Sequence, residues 1–293
     1  MLPTFVIGLR EGLEAALIVG IIAAFLLQEH RRDALKGMWI GVGLAIALCL
    51  GAAIALRLAS EQLPQREQEQ LETIIGLVAV GMVTWMIVWM RGHAANLKGA
   101  LHEQAGAALA TGSTAALVFM AFLAVLREGL ETAVFLLAVF QDSDNPGLSG
   151  TGAALGVLVA VILGYALYRG GVRINLAKFF KFTGVILVLV AAGLLSTAVH
   201  TAHEAGWWNI MLGQAVDLSW LIKPGSVQSA LATAMLGIQP KPTIGEALVW
   251  LLYAVPMLAY VLVTPKPKTK RIAETPAADS ASTSPSVVAT PGT

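Results

Sequence analysis

The chain has a single cysteine, Cys49, and little charge: Asp, Glu, Lys and Arg together make up 13% of its 293 residues. One cysteine excludes an intramolecular disulfide and argues against a cysteine-built metal centre. The net charge is only +1, so there is no basic footprint and no nucleic-acid partner is expected. The sequence contains no phosphate-cradling glycine loop, dinucleotide fingerprint or nucleophile motif, which excludes an ATPase domain. The first apolar run lacks a basic leader before Leu2 and carries charges in its interior. It therefore reads as a retained helix, with Pro3 in its first turn, and not as a cleaved signal peptide.

What the chain has in place of charge is hydrophobicity, at 57% of residues and a mean hydropathy of +0.75. Crossing hydrocarbon takes about 20 apolar residues. The expected fold is an all-α polytopic membrane protein with seven transmembrane helices at 3–27, 37–56, 71–90, 115–140, 150–168, 180–199 and 246–264. These form one permease domain, 1–264. Residues 200–245 are an outer segment with interfacial Trp207, Trp208 and Trp220, residues 92–112 an inner linker, and the Pro/Ser/Thr/Ala-rich 265–293 a disordered cytoplasmic tail. Pro256 is expected to kink the seventh helix.

Lys and Arg set the orientation. Connections after the odd-numbered helices hold 13 basic residues and the opposite side holds Arg57, Arg66, Lys223 and Lys241, which places the amino terminus outside and the carboxyl terminus inside. Nine acidic residues lie at the outer face, giving it a net charge of −5. Such a surface concentrates cations; charge sorting alone would also leave acids there.

Two stretches break the apolar pattern. Arg10-Glu11-Gly12-Leu13-Glu14 in the first helix recurs unchanged as Arg127-Glu128-Gly129-Leu130-Glu131 in the fourth. At about 2.5–3.5 kcal/mol for each ionisable side chain at mid-membrane depth, the six charges cost on the order of 15–20 kcal/mol before pairing. With three spans in each unit, the second copy has the opposite orientation to the first. The chain thus reads as a 3+3 inverted-topology repeat, about 3–90 and 115–199, plus a seventh helix.

At 100° per residue, each motif's arginine and both its glutamates share one helix face, and the glycine lets a neighbouring helix approach. By helical rise Glu14 lies about 16 Å from the outer end of its helix and Arg127 about 18 Å from the inner end of its own. A two-fold axis in the membrane plane would bring the motifs together as one site of Glu11, Glu14, Glu128 and Glu131 with Arg10 and Arg127. Carboxylates alone make a hard oxygen site suited to Fe²⁺, Fe³⁺, Mn²⁺, Mg²⁺ or Ca²⁺, with each arginine pairing one of them. The alternative is an intrahelical ion pair that fixes packing; the surplus glutamate in each copy argues against it.

Secondary candidates lie at the outer face. Glu69 and Glu72 could relay a cation or be solvated helix-start acids. His200, His203 and Glu204 have metal-ligand spacing or form an interfacial hydrogen-bonding group. Asp142 and Asp144 line a vestibule or form a turn before Pro146, and Met82, Met86 and Met90 are a soft-metal path or core packing. The residues leave three functions open: a transporter of iron, a transporter of another cation such as Mn²⁺ or Pb²⁺, and an intramembrane carboxylate metalloenzyme.

The two Arg-Glu-x-x-Glu motifs, in the first and fourth of seven helices, together with His203-Glu204-Ala205-Gly206 after the sixth, resemble the oxidase-dependent iron transporters, the iron permeases of fungi and bacteria. The resemblance covers all seven helices and leaves out the tail. It implies iron import through a bacterial inner membrane, with the motif glutamates as ligands and the iron ion as transported substrate, not a permanently bound cofactor. It also implies a periplasmic iron-binding protein and a haem peroxidase as partners, or in fungi a multicopper oxidase.

Overall fold

The computed structural model describes residues 1–28, 30–93, 114–141, 146–169, 175–207, 211, 213–217 and 241–263. Asp142, Asp144, Trp208, Trp220, most of the inner linker and the tail lie outside them. Seven long helices make up the described residues: α1 Leu2–Gln28, α2 Arg32–Glu61, α3 Gln65–His93, α4 Thr114–Gln141, α5 Pro146–Tyr168, α6 Leu176–Glu204 and α7 Ile244–Leu262. Several run beyond the apolar stretches that announce them. α2 continues to Glu61 and α6 to Glu204, because backbone hydrogen bonding persists into polar residues at which a hydropathy profile stops. The ends are capped where the sequence allows it. The Asn175 side chain accepts from the Lys178 N–H at the start of α6, and Thr243 and Glu246 form a reciprocal capping box at the start of α7. Pro256 lies inside α7.

Six of the helices are long and apolar enough to cross a membrane. In α4 every 18-residue window takes in Arg127, Glu128 and Glu131, more charge than the other six carry in their most apolar 18 residues. The outward faces of α2, α5 and α7 expose rows of large apolar side chains, among them Leu44, Leu48, Leu158, Ile162, Leu252 and Val255. Water would not tolerate such faces on a soluble chain; hydrocarbon would. The chain is a multi-pass membrane protein.

The helices pair in a definite way: α1 packs along α5, α4 along α2, α3 against α6, and α6 against α7, with α1 and α4 meeting at the centre. The α1–α5 seam is built of small residues. Gly8 lies against Ala153, Gly12 against Ala160, and Gly156 against Phe5. A Cβ on Gly12 would stand 2.9 Å from that of Ala160, and one on Gly129 in α4 would stand 2.6 Å from the Cys49 Sγ of α2. The glycine of each motif is therefore what lets a neighbouring helix lie close beside the charged residues. Polar contacts pin α3 to its neighbours: the Thr73 and Thr201 hydroxyls are 2.7 Å apart, and Thr84 meets the Tyr253 hydroxyl at 2.8 Å. Around them Ile7, Ala79, Phe135, Leu187 and Val188 form a buried core. Met86 and Met90 are buried in it and Met82 packs against it, which accounts for the methionine stripe as packing.

Overpacking a filled helix seam costs about 1–3 kcal/mol. Replacing Gly12 by Leu is expected to lower the unfolding midpoint in detergent by several degrees, whereas Gly20→Leu on the same helix, where nothing lies within 4 Å of an added Cβ, leaves it in place. Thermal unfolding followed by size-exclusion chromatography reads both.

Candidate metal centre

Each motif forms the ion pair that its i, i+4 spacing allows. In α1 the Arg10 Nε donates to the Glu14 carboxylate at 3.3 Å, and in α4 the Arg127 Nε donates to Glu131 at 3.0 Å, with Glu128 at 4.0 Å. The surroundings of the two pairs differ. Arg10 is 1% exposed and its guanidinium lies 5.8 Å from the centroid of the Phe180 ring of α6, a cation–π contact. The Arg127 side chain is 61% exposed.

The surplus glutamate of α1 faces the motif of α4. Glu11, Glu128 and Glu131 each bring a carboxylate oxygen within 4.8 Å of the others, the one group of three His, Cys, Asp or Glu side chains among the described residues close enough to share an ion. A cation with bonds of about 2.0–2.4 Å separates opposed ligand oxygens by roughly 4–4.8 Å, so one ion fits between the three. Both Glu11 oxygens are buried without a hydrogen-bond partner, as is Nη1 of Arg10. A buried carboxylate left in that state carries a desolvation cost that a bound cation removes.

Glu14 lies outside the triad and is paired with Arg10; it still feels the charges of Arg127, Glu128 and Glu131. The triad thus draws one glutamate from α1 and two from α4.

Near one end of the bundle a cavity of about 180 Å³ lies between α3, α4 and α6, lined by Glu72, Ala138, Gln141, Leu194, His200 and Thr201, among others. Of the secondary candidates, Glu72 and His200 line it; Glu69, His203 and Glu204 do not. Glu69 accepts from Gln65 and Glu72 from Gln68, each one turn away on α3. His200, His203 and Glu204 do not converge on a common point. The His200 Nδ1 meets Glu246 at 2.9 Å and its Nε2 lies 3.5 Å from Glu204, while the buried Nε2 of His203 has no hydrogen-bond partner. Glu246, 1% exposed, is the residue that sequence reasoning passed over as one more outer acid. Its capping signature with Thr243 was readable, but its histidine, 46 positions away, was not.

Relatives with names are found over nearly the whole chain. A family model described as "Iron permease FTR1 family" matches residues 1–266. "Ferrous iron permease EfeU" of Escherichia coli O6:K15:H31 (strain 536 / UPEC) is 44% identical over 270 residues, 91% of this chain and 97% of that protein. The protein of the same name from Yersinia pestis is 41% identical over 268 residues, 91% of this chain and 95% of that protein. No solved structure matches the chain. These relatives are named as permeases, transporters and not enzymes, and with its seven long helices and paired charged motifs this chain belongs to the iron permease family.

Proposed function

We propose that the chain imports iron across the bacterial inner membrane, taking the ion between Glu11, Glu128 and Glu131. The observation that carries this reading is the triad itself: oxygens of both motifs lie close enough to share one ion, and those of Glu11 have no other partner. Relatives named as ferrous iron permeases favour Fe²⁺ as the form of the cargo, which oxygen ligands accept. Weak, all-carboxylate coordination also suits a site that must release what it binds.

The helix pairing supports an inverted repeat. Exchanging α1 with α4, α2 with α5 and α3 with α6 turns the α1–α5 pair into α4–α2 and the α1–α6 contact into α4–α3, and both members of each set occur. The triad then lies on the interface between halves, where alternating access would expose it first to one side and then to the other. Orientation by basic residues puts the amino terminus in the periplasm and the carboxyl terminus in the cytoplasm, and makes the cavity beside Glu72 and His200 a periplasmic antechamber. Glu69 and Glu204 stand close by as charges that attract the ion, with His203 at the end of the same helix. An inside-negative potential helps by about 2.3 kcal/mol per charge per 100 mV, roughly 5 kcal/mol for a divalent ion. A periplasmic iron-binding protein and a haem peroxidase are the partners that would deliver iron to this face.

The arginines hold the site without supplying ligands. Arg10, enclosed by Phe180, is the fixed counter-charge of Glu14; Arg127 braces Glu131 from a more open position. Removing one member of a buried ion pair costs about 3–5 kcal/mol, because the other is left as an uncompensated charge. Arg10→Gln is therefore expected to lower the yield of folded protein and the unfolding midpoint more than Arg127→Gln, as measured in the same detergent.

Transport is tested in proteoliposomes under an imposed inside-negative potential, with labelled iron held ferrous by ascorbate. The intact protein should take up iron, and Glu11→Gln, Glu128→Gln and Glu131→Gln should each reduce uptake at least about tenfold while still inserting. Undiminished uptake by the double variant Glu11→Gln with Glu128→Gln would sink the proposed site. Uptake of Mn²⁺ in place of Fe²⁺ in a competition series would overturn the cargo and leave the site standing.

A further inference from the structure

The cavity between α3, α4 and α6 does not reach the carboxylates, and the side chain that stands between them can be identified. On α4, Ala138 belongs to the cavity wall and Glu131 to the triad. Phe135 lies between them. Helical rise places it about 4.5 Å from the level of Ala138 and about 6 Å from that of Glu131. At 100° per residue its side chain points within 60° of Ala138 and 40° of Glu131. It is 1% exposed, so neither the cavity nor the site leaves room around the ring.

The other walls close at the same level. Gly76 of α3 and Leu194 of α6 line the cavity; one turn further along, Ala79 of α3 and Ala191 of α6 are fully buried and belong to the same apolar core as Phe135. Ile7, one turn before Glu11 on α1, completes that layer. Four helices thus contribute an apolar septum. Phe135 brings an aromatic ring from α4 into a core that also holds these two alanines, which fill little space. A hydrated cation does not cross a filled apolar layer, since apolar walls exclude the water that accompanies it.

We infer that Phe135 is the gate on the cavity side of the carboxylate site. Displacement of this one ring opens a path from the cavity to Glu131. This inference rests on the reading of the triad as the cargo site for its meaning in transport, but the barrier itself can be tested without iron.

The test uses cysteine accessibility in the full chain reconstituted in liposomes, with the native Cys49 replaced by Ser. Cysteines are placed singly at Ala138 and at Glu131, and a membrane-impermeant cationic methanethiosulfonate is added on the face where the cavity lies. Ala138→Cys is expected to react readily and Glu131→Cys at least tenfold more slowly. Adding Phe135→Ala should bring Glu131→Cys to within about threefold of Ala138→Cys, with Phe135→Leu in between. Ala138→Cys carried in each Phe135 background reports that the cavity, and so the fold, is intact; if Phe135→Ala does not fold, the leucine variant decides. Equal reactivity at both positions with Phe135 present would overturn the gate. So would an unreactive Ala138→Cys in the otherwise intact protein, or a Glu131→Cys that stays protected after Phe135 is truncated while Ala138→Cys still reacts. Failure of the cargo-site reading would show differently, as uptake retained after Glu11→Gln, and would leave this labelling pattern unchanged.

Discussion

A carboxyl group held away from water must either be answered by positive charge or give up its own, and in this protein that requirement governs the arrangement of the bundle. Four glutamates and two arginines sit near the middle of helices otherwise made of apolar residues. Two glutamates are answered within their own helix, Glu14 by Arg10 and Glu131 by Arg127. Glu11 has no hydrogen-bond donor of its own, and Glu128 has Arg127 at 4.0 Å. The close seams at Gly12 and Gly129 bring α5 and α2 against the motif-bearing helices, and the contact of α1 with α4 sets Glu11 against the second motif.

The two copies of the motif are identical in letters and unequal in place. Arg10 is sealed beneath Phe180, while Arg127 stands largely exposed. A site lying between two halves has to change its surroundings as cargo passes, and identical motifs in different surroundings are what one conformation of such a pair would show. The apolar septum around Phe135 fits the same picture: it shuts the site off from the cavity beside Glu72 and His200 in the conformation described.

Much of this was legible in the sequence, and the limits have physical causes. Charge in apolar runs, repeated unchanged, marked the candidate site residues, and their 100° spacing foretold the Arg10–Glu14 and Arg127–Glu131 pairs. Which glutamate would be left out could not be read, because it depends on neighbours that are not local: the same five letters meet Phe180 in one copy and open space in the other. The helix cores were clear from hydropathy, but the ends of α2 and α6 were not, since Glu61 and Glu204 are polar yet still hydrogen-bonded into the helix. Likewise the capping box at Thr243 and Glu246 is a local signal, whereas the pairing of Glu246 with His200 depends on α6 and α7 lying side by side.

The account stands or falls on whether one cation is held jointly by both motifs. Anaerobic Fe²⁺ binding to the purified protein, measured for the wild type, Glu11→Gln, Glu128→Gln and the pair combined, tests this directly. A shared site predicts one ion per chain and losses that do not multiply, with a coupling of about 0.5–3 kcal/mol between the two positions. Two ions per chain, with the two substitutions acting independently, would contradict it.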